Sequence, residues 1–157
     1  MGDMRRGEFL AELKLPADAE YISAAKRVAA CLGSTLGFSL EDLDELSIAL
    51  AQACDSTIEA CAEIWGPNSG AQIKVSYGKT DKGIAVEVEA IGPSAEHQRQ
   101  RALAERRERV LQQAREQDRE MQRMAQEMIR FFVDDFRSSV DAGRGRVHLR
   151  MVKYLLG

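Results

Sequence analysis

No glycine or proline interrupts the chain between Ser94 and Asp135. That stretch is packed with Ala, Arg, Glu, Gln and Met, all favourable in helices, and it predicts one long helix, or two nearly continuous ones, over about 94–135. From Ser94 to Arg123 it carries eight arginines against six acids. Such a mixture reads mainly as a solvated helix face, steadied by pairs such as Glu105 with Arg109 worth about 0.2–0.5 kcal/mol each. Beneath the charges, Leu103, Val110, Ala114, Met121, Met124 and Met128 recur at three-four spacing, with gaps at Arg107 and Gln117. A seam this thin does not hold a free-standing helix and suits packing on another surface. Leu103, Arg107, Val110, Ala114, Met121 and Met124 are therefore candidate protein-contact positions, and Met-rich faces adapt readily to partners. The chain's own sheet, a second copy and a separate protein all stay open as occupants. Phe131, Phe132 and Phe136, further on, are expected in the core.

The rest of the chain alternates two periodicities. Phe9, Ala11, Leu13 and Leu15 with Glu12 and Lys14 between them give a half-buried strand at about 8–15, stopped by Pro16. Ile22, Ala25, Val28, Ala29 and Leu32 mark a helix ending near Leu36, with Gly33 and Gly37 punctuating its end. Ser39 and Asp42 open a second helix over about 40–64, striped by Leu43, Leu46, Leu50, Ala53 and Ile58. After the turn cluster 66–70, the sets Ile73, Val75, Tyr77 and Ile84, Val86, Val88 form a hairpin, and Val147, Leu149 and Met151 a closing strand. The fold class is α+β: a two-layer sandwich of a mixed sheet with helices on one face.

With 157 residues, 45% of them hydrophobic, the chain has the size of a single domain spanning 1–157. A net charge of −3 gives no basic excess for nucleic acid. No apolar run approaches the roughly 20 residues of a membrane span, and the first residues lack a signal-peptide stretch, so no membrane partner and a cytoplasmic location are expected. Cys31, Cys54 and Cys61 lie in Ala-rich helical patterns without metal spacing and read as small buried hydrophobes. His97 and His148 have no matching ligand cluster, so no metal site is expected. Trp65 reads as a packing residue.

The order of elements, Leu15-Pro16-Ala17 before the first helix and Val152-Lys153-Tyr154-Leu155 at the end resemble the anti-sigma-factor serine kinases of bacterial partner-switching systems, with their histidine kinase-like (GHKL) ATPase fold. The resemblance covers most of the chain. In that family the second helix carries Glu, Asn and His at four-residue steps, so all three project from one face. The Asn holds a magnesium ion on the phosphates and the Glu takes the proton from the target hydroxyl. Aligned on Ile48 to Ala53, those positions hold Gln52, Ser56 and Ala60. The family's Asp-x-Gly-x-Gly, whose Asp binds the adenine amino group, falls on Ala90, Gly92 and Ser94. Its phosphate-wrapping Gly-x-Gly falls on Arg123 and Ala125, so a long helix replaces the ATP lid.

All three nucleotide elements have thus lost their chemistry while the scaffold pattern persists. The resemblance then implies a regulator of stress or sporulation transcription that binds a sigma factor or an anti-sigma antagonist protein, with no cofactor and no catalytic residues. Two alternatives stay open. One is an active serine kinase using ATP and Mg2+, with Asp55, Glu59 or Glu89 replacing the missing acids. The other is a homodimeric scaffold module built on the long helix, whose seam could equally face a sigma-like protein.

Overall fold

In the computed structural model, residues 7–93 and 114–155 are described, without the side chains of 114–121 and Ala142. Their order is β1 (Glu8–Pro16), α1 (Ile22–Leu36), α2 (Leu40–Trp65), β2 (Gln72–Lys79), β3 (Gly83–Ile91), α3 (Ala114–Phe132), β4 (Asp135–Asp141) and β5 (Arg146–Tyr154), with one-turn 3-10 segments at Ala19–Tyr21 and Ala142–Arg144. The five strands make one sheet in the order β1-β2-β3-β5-β4. Every pairing between them is antiparallel, so the sheet is not the mixed one expected. The two-layer α+β arrangement itself stands as read.

Period-two patterning decides which face of the sheet is dry. Ile73, Val75 and Tyr77 of β2, Ile84, Val86 and Val88 of β3, and Val147, Leu149 and Met151 of β5 share one core with Ala25 and Ala29 of α1, Leu46, Leu50 and Ala53 of α2, and Ile129 of α3. The helices therefore lie on a single face. Gly33 is not at the end of α1 but inside it: a Cβ there would sit 2.3 Å from Leu43 Cδ2, so its absence lets α1 approach α2. Gly37 does end the helix, at φ 100. At the start of α2, Ser39 Oγ accepts from the Asp42 amide at 3.1 Å.

Two polar contacts tie the layers together. The buried Tyr77 hydroxyl donates to the Ala25 carbonyl at 2.7 Å, and burial raises its pKa. Tyr77→Phe is expected to cost about 1 kcal/mol, read as a lower urea midpoint with an unchanged slope. Lys153 Nζ, on the helix side of β5, donates to Glu45 Oε2 at 2.5 Å and to the Phe132 carbonyl at 3.0 Å. That bond sets the last residue of α3 beside the second turn of α2.

Several expectations change. Phe9 is exposed because a bulge between Phe9 and Ala11 shifts the register, and Leu10 packs on the core instead. The long helix stops at Phe132, where β4 begins three residues on; residues 94–113 lie outside the described set. Phe136 and Phe132 do pack in or against the core, but Phe131 is exposed. Cys54 and Cys61 are buried as read, with thiols pushed up by burial to about 12 and about 11, whereas Cys31 is exposed.

Candidate functional site

Helix α2 displays Gln52, Ser56 and Ala60 at four-residue steps, each about 40° further round than the last. Gln52 and Ser56 are half-buried; Ala60 is closed into the core. Between them Thr57 is fully buried and donates its hydroxyl to the Ala53 carbonyl at 2.8 Å, so it is committed to the helix. A neutral amide at Gln52 takes no proton at neutral pH, and Ser56 offers a hydroxyl where a carboxamide oxygen would be needed. Asp55, half-buried, stands about 100° around the helix from Ser56, and Glu59, exposed, about 100° from Ala60, both to the same side of the row.

Ala90 closes the inward row of β3, paired with Ile73 and packed against the core. Glu87 and Glu89 point the other way. Gly92 follows the strand, and the Trp65 ring lies directly on it: a Cβ at Gly92 would meet Trp65 Cζ2 at 2.9 Å, and one at Gly145 would meet the same atom at 2.8 Å. The surviving glycine of the second motif is thereby used to seat an indole, whose Nε1 is buried with no hydrogen-bond partner among the described residues. Trp65 is a packing residue, as read from its place at the end of α2.

Arg123 is exposed and Ala125 half-buried, both well inside α3. Their amides are more than two turns past the helix start and so are engaged by the helix rather than available to wrap an anion. Ala114 and Met121 lie in α3 with side chains outside the described set, Met124 is exposed, and Ser94, Leu103, Arg107 and Val110 fall outside the described residues altogether. The structure thus gathers Gln52, Ser56 and Ala60 on one helix and Ala90 and Gly92 on one strand exit. The residues at these positions do not fit the magnesium–nucleotide arrangement that the resemblance implies.

The opposite face of the sheet holds a constellation that alternation located only in part. A row of charges crosses all five strands. Lys74 Nζ lies 3.8 Å from Glu12 and 3.2 Å from Glu89; His148 Nε2 lies 3.2 Å from Glu87 and 3.5 Å from Glu89; Arg150 reaches Glu87 at 3.9 Å and Asp135 at 3.8 Å. Glu87 is only 4% exposed. The His148 imidazole against it, helped by Arg150, holds its carboxyl below the usual range although burial pushes the other way. Alternation along β3 puts Glu87 and Glu89 on one face but cannot find their basic partners, because cross-strand register is a long-range property. Glu89, committed to this row, is on the far side of the sheet from Gln52. Among the described residues no group of three or more His, Cys, Asp or Glu is arranged to hold a metal ion, and no helix is long and apolar enough to cross a membrane.

No family model matches the chain. Curated relatives do. The serine-protein kinase RsbW of Bacillus licheniformis is 25% identical over 91 residues, 58% of this chain and 55% of that protein. Its counterpart in Bacillus velezensis is 24% identical over 83 residues, 53% and 50% of the two chains, and that of Bacillus thuringiensis 31% identical over 48 residues, 31% and 30%. The chain matches only about half the length of these relatives. The matches agree with one another and with the α+β sandwich: over roughly half its length this chain is similar to the RsbW serine-protein kinases.

Proposed function

We propose that the chain is an anti-sigma or partner-switching regulator, which binds a sigma factor or an antagonist protein in the bacterial cytoplasm and exchanges it by competition, without ATP hydrolysis or phosphoryl transfer. The observation that carries this reading is the row Gln52, Ser56 and Ala60 on α2: a scaffold related to serine-protein kinases in which the positions for base, magnesium ligand and histidine hold an amide, a hydroxyl and a buried methyl. Helix at Arg123 and Ala125 supports it, since helical amides are already bonded.

Calorimetry and thermal denaturation with millimolar ATP and Mg2+ test the loss of catalysis. No binding heat and no shift in Tm are expected, whereas a ligand at about 100 times its Kd would add about 2.7 kcal/mol of stability. Saturable heat would favour the kinase reading, with Asp55 or Glu59 as the acids to replace next. The regulatory half is tested by mixing the purified chain with the sigma factors and antagonist proteins of its host and measuring complexes by size exclusion with light scattering. A stoichiometric complex with one of them is expected; failure with all of them sinks it.

A further inference from the structure

The outward face of the sheet holds a water-free patch that the helices do not make. Val86 and Met151 point inward to the core, so their neighbours Ala85 on β3 and Val152 on β5 point outward. The helices α1, α2 and α3 all pack on the inward face. Ala85 is nevertheless 0% exposed and Val152 5%, and neither belongs to the core that those helices close. Register sets both in one cross-strand row, Phe9, Gly78, Ala85, Val152 and Asp135. Glu87, 4% exposed, lies in the next outward row. An antiparallel sheet with helices on one side has its other side in water, so a methyl wholly shielded at the centre of that side has something lying over it. Gly78 beside it has no side chain to supply the cover.

Where the chain enters the sheet says what lies there. Gly7 passes tight against the end of β2, where a Cβ would run into the Lys79 carbonyl oxygen. Glu8 then pairs with Lys79, one residue from the Phe9–Gly78 end of the buried row. Six residues precede Gly7 in the sequence, and six extended residues span at most about 20 Å. Crossing from β1 over β2 and β3 to β5 takes three strand spacings, about 14 Å. The segment therefore starts at the right end of the row and has the length to cross it. Its Met1 and Met4 are unbranched and adaptable, suited to lie on residues as small as Gly78 and Ala85. A second observation points the same way: after His148, the amino terminus is among the charges that hold the Glu87 carboxyl below its usual range. We propose that Met1–Arg6 of the same chain lies across the outward face of the sheet, with its methionines over Ala85 and Val152.

Methyl nuclear Overhauser spectra of the full chain test this without altering it. Contacts are expected between the Ala85 or Val152 methyls and the ε-methyl of Met1 or Met4. Thiol labelling gives a second, chemical reading in a chain carrying Ala85→Cys and Cys31→Ser, where the buried Cys54 and Cys61 report an intact fold by staying unreactive. The introduced thiol is expected to react with an aromatic disulfide at least about ten times more slowly than the exposed Cys31 of the unaltered chain. Adding Met4→Asp, which sets a charge against the apolar row, is expected to speed that reaction at least about tenfold. Overhauser contacts to Ala85 from Leu103, Val110 or Leu156 in place of the methionines overturn the proposal, as does an Ala85 methyl with no contact beyond its own sheet. So does an introduced thiol that reacts as fast as Cys31, or one whose slow reaction Met4→Asp leaves unchanged. None of these outcomes depends on whether ATP or a sigma factor binds.

Discussion

Gly83→Ala is expected to abolish the cooperative folded state. Gly83 opens β3 opposite Tyr154 of β5, and a Cβ there would lie 1.9 Å from the Lys153 carbonyl oxygen and 2.9 Å from its carbonyl carbon and from Tyr154 Cα. All three are backbone atoms of a paired strand, so no rotamer change relieves the overlap. The pairing must separate at the end where Leu155 also donates to the Lys82 carbonyl at 2.8 Å. A cost of about 4 kcal/mol or more is expected, a large share of the stability of an ordinary domain, which is roughly 5–15 kcal/mol. Urea unfolding followed by circular dichroism measures it. Gly143→Ala is the control: its Cβ meets only Asp141 Oδ1, at 3.5 Å, and a change within about 0.5 kcal/mol is expected. Equal effects at the two glycines would refute the steric argument.

Glu87→Ala is expected to be the next most damaging change, at about 3 kcal/mol, because it strips the central carboxylate from between His148 and Arg150 on a face where Glu87 itself is buried. The same carboxylate sets an acid limit. Its folded pKa lies below the unfolded value of about 4.5, so the stability it contributes is fully present above pH about 4.5. That contribution is lost as pH falls through the depressed folded value. Stability of the unaltered chain should therefore drop as the pH is lowered from about 5 toward 3. Glu87→Gln, starting lower at neutral pH, should show a shallower drop. Parallel profiles for the two proteins would show that the row contributes nothing to acid sensitivity.

The inward face of the sheet was legible because it obeys a local rule. Ile73 to Tyr77 and Ile84 to Val88 alternate without a break, and helix α2 announces itself through Ser39 and its leucines. β4 obeys no such rule. In Asp135–Asp141 only Phe136 is buried, and the strand sits at a sheet edge where polar residues face water. Its sequence carries no period, and the pattern assigns no element between the end of the long helix at about 135 and the closing strand. The bulge at Phe9 likewise reverses a face by one residue, which alternation alone cannot foresee. At the candidate site, Gln52, Ser56 and Ala60 could be placed on one helix from spacing. The seat of Trp65 on Gly92 and Gly145 could not, since it joins positions far apart in the sequence. Nor could the split of α3 into a packed face and an exposed one: Ile129 and Phe131 are two residues apart and equally apolar, and only the position of α2 distinguishes them.

Trp65 is the sole tryptophan of the chain, and its ring rests where the polypeptide leaves the sheet after β3 and where it enters again before β5. Its near-ultraviolet emission is accordingly a built-in optical gauge of that crossing. A ligand or partner that pulls the exit and entry points apart would wet the indole and redden its light, and one that draws them together would not, so unlabelled protein suffices to watch the junction in real time.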